Sequence, residues 1–164
     1  MRRPQTVLLL LILLAGSQMW HALPLLPERV AAHFNAQGNA DGFAPKEEFV
    51  RAQAVVFALM AAVFFLLPKL LRYLPVSMIN LPNKDYWFAP ERREETLNAL
   101  EDWMAWFGVL TVALILGLTQ LAIRANLSPG GHFDSSLATG LLVAYGIGAL
   151  AVTVLMFRRF RRPA

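Results

Sequence analysis

Four apolar stretches without a single Asp, Glu, Lys or Arg decide what this chain can fold into: residues 6–26, 52–67, 103–123 and 137–157. Roughly 20 apolar residues carry a helix across the hydrocarbon core of a bilayer. Three of the stretches have that length, and the second reaches it if Pro68 and the Leu70–Leu71 pair extend it. Lipid offers no partner to an open N–H or C=O, so each stretch has to bond its own backbone as a helix. The expected fold is all-α. It is a polytopic membrane protein with four transmembrane helices, a short ordered extracytoplasmic loop and a cytoplasmic helical extension before span three. Composition agrees, since 57% of residues are hydrophobic and 16% charged, against about a quarter charged in a soluble domain.

The first stretch competes with a secretory signal peptide. Arg2 and Arg3 resemble its basic start, and Ala15-Gly16-Ser17 its cleavage site. Apolar character continues through Met19, Trp20, Leu23, Leu25 and Leu26, which a cleaved peptide does not need, and this favours a span. The chain contains no cysteine, so disulfide and thiolate chemistry are excluded.

Orientation follows from Lys and Arg near the span ends. Arg2 and Arg3 precede span one. Lys69, Arg72, Lys84, Arg92 and Arg93 follow span two, and Arg158, Arg159, Arg161 and Arg162 follow span four. The other two connections hold Arg29, Lys46 and Arg51, and then Arg124. Both termini and the central loop are therefore expected in the cytoplasm. The basic tail is expected to meet anionic lipid head groups rather than nucleic acid. Three parts are expected: residues 1–75 with the first two spans and their loop, 76–102 as a cytoplasmic loop and helix start, and 103–164 as the last two spans with the basic tail.

The spans read as structural. Gln18, Thr111, Thr119, Gln120, Tyr145 and Thr153 are polar glue between helices. Gly140, Ala144 and Gly148 form a small-residue stripe suited to close helix packing, either within the chain or between copies in a homo-oligomer. With no ionisable residue deep in a span, a proton pump, voltage sensor or ion-coupled transporter is not expected. Pro45 before Lys46-Glu47-Glu48 marks the start of span two above the membrane, and Pro90 with Glu91, Glu94 and Glu95 is a similar start. From there a helix can run unbroken into span three. The segment "NKDYWFAPERREE" combines Tyr86, Trp87, Arg92 and Arg93, residue types favoured at protein contacts. It reads either as a docking surface for a cytoplasmic protein partner or as an aromatic belt and solvated helix start.

Chemistry concentrates in the first outer loop, which carries His33, Asn35, Gly38, Asp41, Gly42 and Lys46. Apolar Val30, Ala32 and Phe34 alternate as in a short strand. Gly38-Asn39 and Asp41-Gly42 have turn chemistry, with Asp41 expected to close on its own backbone. If glycine turns bring His33 and Asp41 together, the two form a charge-assisted bond. Lys46 then anchors loop carbonyls or an acid. The loop reads as an ordered cap, as a recognition surface for a peptide, lipid or protein, or as a metal site joining His33 and Asp41 to His132 and Asp134 of the other outer loop. Ser135 and Ser136 beside His132 and Asp134 supply the letters of a hydrolase but no nucleophile elbow.

The residues Leu26, Pro27, Val30, His33, Phe34, Asn35, Gly38, Asp41, Gly42 and Lys46 resemble the motif of a small bacterial membrane domain of unknown function. Its best-known carriers are the SdpI-like immunity proteins, which protect against a secreted killing peptide and relay its presence to a repressor. The resemblance covers about the first 70 residues, and "NLPNKDYWFAPERREE" is similar to a segment that follows the domain in small proteobacterial members. It implies a multi-pass bacterial inner-membrane protein without cofactor. It also implies a functional outer loop that recognises a ligand or partner without enzymatic chemistry. A metal-dependent membrane enzyme or metal-handling accessory using His33, Asp41 and His132 is the alternative.

Overall fold

The structure, a computed structural model, describes residues 3–161; Arg2 of the basic start, and Arg162 and Ala164 of the tail, lie outside the described residues. Its elements in order are α1 (Arg3–Ala22), β1 (Arg29–Phe34), β2 (Ala40–Pro45), α2 (Lys46–Phe65), the short α3 (Leu67–Leu70), α4 (Lys84–Trp87), α5 (Arg93–Leu127) and α6 (Ser135–Arg159). Among the described residues four helical stretches are long and apolar enough to cross a membrane: Arg3–Ala22, Lys46–Tyr73, Arg93–Leu127 and Ser135–Arg159. They correspond to the four charge-free stretches. The second gains its length in both directions. It begins at Lys46 directly after Pro45 and continues through α3 and a 3-10 turn to Tyr73.

Helices α1, α2 and α5 pack together around Leu8, Ala15, Phe57 and Val112. The closest approach is at Gly108, where a Cβ would stand 2.7 Å from the Phe64 ring and 3.0 Å from Leu8. A side chain there would drive three helices apart. Lipid tails are as apolar as leucine, so close packing and interhelical hydrogen bonds hold such helices together. Gln18 Nε2 donates to Gln120 Oε1 at 2.8 Å between α1 and α5, and Thr119 Oγ1 donates to Gln53 Oε1 at 3.0 Å between α5 and α2.

Helix α6 packs mainly against α5. Side chains at Gly117 and Gly148 would meet Leu141 and Leu110 at 3.0 and 3.1 Å, and Thr111 reaches Tyr145 at 3.4 Å. The Gly140–Ala144–Gly148 stripe is therefore divided. Gly148 admits a leucine of α5, whereas Gly140 and Ala144 are exposed and nothing stands within 4 Å of a Cβ at Gly140.

Helix α5 has 35 residues, a length of about 50 Å at 1.5 Å per residue, and so overshoots the hydrocarbon core. Its N-terminal turns form the predicted extension, unbroken into the span. Against them folds a compact cap built from residues 76–92 and the end of α6. The cap core is Ile79, Leu81, Trp87, Phe88, Leu97, Leu100 and Phe160. Arg72 ties the end of the second span to this extension, donating to Glu94 at 2.6 Å, Asn98 at 2.7 Å and Glu101 at 2.9 Å.

The segment expected as a docking surface is largely taken up inside this cap. Trp87 is 7% exposed, its Nε1 donates to the Phe160 carbonyl at 2.8 Å, and its own carbonyl accepts from Thr96 Oγ1 at 2.7 Å. Arg92 lies over the Tyr86 ring at 3.9 Å and donates to the Tyr86 carbonyl, while Arg93 donates to the Arg72 carbonyl at 3.0 Å. An indole in water next to a bare Leu97–Leu100 face gains more by covering that face than by staying exposed.

Candidate functional site

At the other end of the molecule the connection from α1 to α2 is an antiparallel β-hairpin rather than a turn-rich loop. Arg29 pairs with Pro45, Val30 with Ala44, Ala31 with Phe43, His33 with Gly42 and Phe34 with Ala40. The register slips twice, leaving Ala32 and then Asp41 unpaired. An extra residue re-aims side chains. The first slip corrects the expected alternation: Val30 and Ala31 are buried, and Ala32 is exposed. The second places Asp41 beside its neighbour across the hairpin, so that His33 Nδ1 and Asp41 Oδ1 are in hydrogen-bond contact. The predicted meeting of these two residues is present.

The means differ from those expected. Gly38 does turn the chain, with φ +83°. Gly42 does not: it is a strand residue facing His33, whose Cβ would stand 2.9 Å from a Cβ at 42. Its lack of a side chain makes room for the imidazole. Nor does Asp41 make an Asx turn. That role belongs to Asn35, whose Oδ1 accepts from the amides of Gln37 and Asn39, both at 3.0 Å. Asn35 therefore closes the hairpin tip, and its competitor Asp41 is left for His33.

Three further contacts hold the hairpin as one unit. At its base Lys46 donates twice to Glu28, from the backbone at 3.1 Å and from Nζ at 2.7 Å. At its tip the Phe133 amide donates to the Gly38 carbonyl at 2.9 Å, and the Phe34 and Phe133 rings stack 4.9 Å apart. The α1–α2 and α5–α6 connections thus meet. At its side Asn126, in the last turn of α5, accepts from the Ala31 amide at 2.7 Å and donates to the Ala31 carbonyl at 2.9 Å. Its second N–H goes to the Ala122 carbonyl at 2.9 Å. A primary amide offers a donor and an acceptor side by side, which matches the free edge of one strand residue.

Asn126 and Phe133 escaped the sequence reading. A lone amide at the end of an apolar helix looks solvated, and its partner lies 95 positions away. His132 and Asp134 do not join His33. His132 lies against Gly38, and Asp134 caps α6 by accepting from the Leu137 amide at 2.8 Å. Among the described residues no three of His, Cys, Asp and Glu gather as a metal ion would require.

Beneath the hairpin, between α2 and α5, runs an open groove of about 350 Å³ lined by His33, Phe34, Gln53, Val56, Leu118 and Phe133 among others. On the hairpin itself the His33 and Asp41 side chains are 74% and 44% exposed, and Phe43 is 58% exposed.

The fold and the site define a multi-pass α-helical membrane protein carrying an ordered hairpin between its first two spans. Within it, residues 7–57, from α1 through the hairpin into α2, match the model of a domain of unknown function, DUF1648. No curated protein and no solved structure matches the chain.

Proposed function

We propose that this chain is a non-enzymatic recognition protein of the bacterial inner (plasma) membrane, with both termini cytoplasmic and the hairpin facing outward, where it takes a peptide or protein ligand. The observation that carries this reading is the exposed His33–Asp41 pair on a platform that is otherwise fully tied down. Lys46, Asn35, Asn126 and Phe133 hold the hairpin. His33 and Asp41 bond each other and still stand largely in solvent, on a hairpin that also exposes the ring of Phe43. A rigid element presenting a few charged groups and an aromatic suits binding, because little freedom is lost when a ligand arrives.

Relay to the cytoplasm, of the kind that the SdpI-like resemblance implies, is supported by α5. One uninterrupted helix carries Asn126 at the hairpin and Thr96 and Glu101 at the cap. A cytoplasmic protein partner would then read the cap from its outer faces, since Trp87 is buried. The test is complementation of a deletion strain at matched membrane abundance. His33→Ala and Asp41→Asn are expected to accumulate normally and fail to restore the phenotype. Full restoration by both variants would reduce the hairpin to a connector.

A further inference from the structure

We propose that the groove beneath the hairpin is a binding site for a glycerophospholipid of the surrounding bilayer, with Gln53 donating to an ester carbonyl. Three observations carry it. The groove lies between two of the apolar helices, α2 and α5, so lipid is the solvent nearest to it. Apart from Gln53 and Thr119, its walls on α2 and α5 are apolar, with Val56, Ile115 and Leu118 offering surface for an acyl chain.

The third observation is an unmatched polar group. Gln53 accepts from Thr119 Oγ1 through its Oε1, and its Nε2 has no acceptor among the described residues, although the side chain lines the groove. A bare amide N–H₂ against hydrocarbon is costly. The groups a bilayer offers at this depth are ester carbonyls. Gln53 is seven residues into α2, about 10 Å along from its start, at the beginning of the charge-free stretch 52–67, where hydrocarbon is expected to begin. A lipid held there would have its head group under His33 and the Phe34–Phe133 stack, and its chain along Val56 and Leu118. The site stands whether or not the hairpin's outer surface takes a separate ligand.

The experiment compares two lipids that differ only in the acceptor. The purified full-length protein is equilibrated with an equimolar mixture of diester and diether phosphatidylcholine of the same chain length, and retained lipid is quantified by native mass spectrometry. The wild type is expected to keep the diester form about two- to tenfold over the diether, the range of one net hydrogen bond. Gln53→Leu is expected to abolish that preference, and Leu118→Trp, which fills the groove, to abolish retention of both. Leu150→Trp, on the exposed face of α6, serves as the bulky control and is expected to leave both unchanged. Equal retention of the two lipids by the wild type overturns the proposal. So does retention that survives Leu118→Trp, whatever the folding of Gln53→Leu.

Discussion

Asn126 uses every hydrogen of its carboxamide, two of its three bonds going to Ala31 and one to Ala122. Asn126→Asp keeps the shape but removes the donor, setting a carboxylate oxygen against two carbonyls. It is expected to cost about 1–3 kcal/mol of local stability, the range for a buried polar group left without its partner. Faster amide exchange at Ala31, with cap amides unchanged, is the expected reading; an unaltered Ala31 rate would refute the clasp. Gly38→Ala acts at the tip. At φ +83° an alanine is already strained, and its Cβ would stand 2.3 Å from the Phe133 carbonyl and 2.9 Å from the His132 ring. The expected outcome is loss of the contact between the α1–α2 and α5–α6 connections, seen as protease cleavage after Phe34 or Phe133. His33→Ala removes a side chain that is 74% exposed. Its melting temperature should stay within a degree or two of wild type, since exposed substitutions rarely exceed about 0.5 kcal/mol.

Helix α5 is the element on which everything else is mounted. It meets α1, α2 and α6 along its length, takes β1 at one end and supports the cap at the other. The cap depends on it through Trp87, wedged between Phe160 and the Thr96 turn. Trp87→Ala is expected to cost about 3–5 kcal/mol, typical of emptying a large aromatic site. Limited proteolysis should then open residues 76–92 while the four spans stay inserted. A cap resistant to protease in this variant would show that the indole is dispensable. The hairpin is supported differently. Two strands are marginal in water by themselves, so β1 and β2 rely on Asn126, Phe133 and the α2 start to stay formed.

Taken as a whole, the molecule is a three-helix bundle with a fourth helix leaning on one member. Of α6, Ala138 alone is buried among the described residues, so its stability in place rests on lipid and on α5. The proposal that the hairpin faces outward rests on the distribution of Lys and Arg. Reporter fusions after Lys46 and His132 are expected to be active extracytoplasmically, and fusions after Asn83 and at the chain end cytoplasmically. An extracytoplasmic signal at Asn83 would invert the molecule and place the His33–Asp41 pair inside the cell.

The number of spans and the long extension of α5 were legible because each depends on local composition, whereas the first helix stops at Ala22, short of the apolar run to Leu26. A run of apolar residues has one solution in lipid, whoever its neighbours are. The meeting of His33 and Asp41 was legible for a related reason: eight positions and a glycine turn suffice to bring them together. The hairpin's register was not, because bulges are set by which residues find a buried surface, and the alternation Val30–Ala32–Phe34 offered the wrong face. Asn126 and Phe133 could not be read at all as parts of the site. Their roles exist only once α5 and the α5–α6 connection are placed against β1 and the hairpin tip. The burial of Trp87 was decided in the same way. An aromatic and two arginines look alike whether they meet a partner or their own chain, and the apolar face of α5 at Leu97 and Leu100 drew the indole inward.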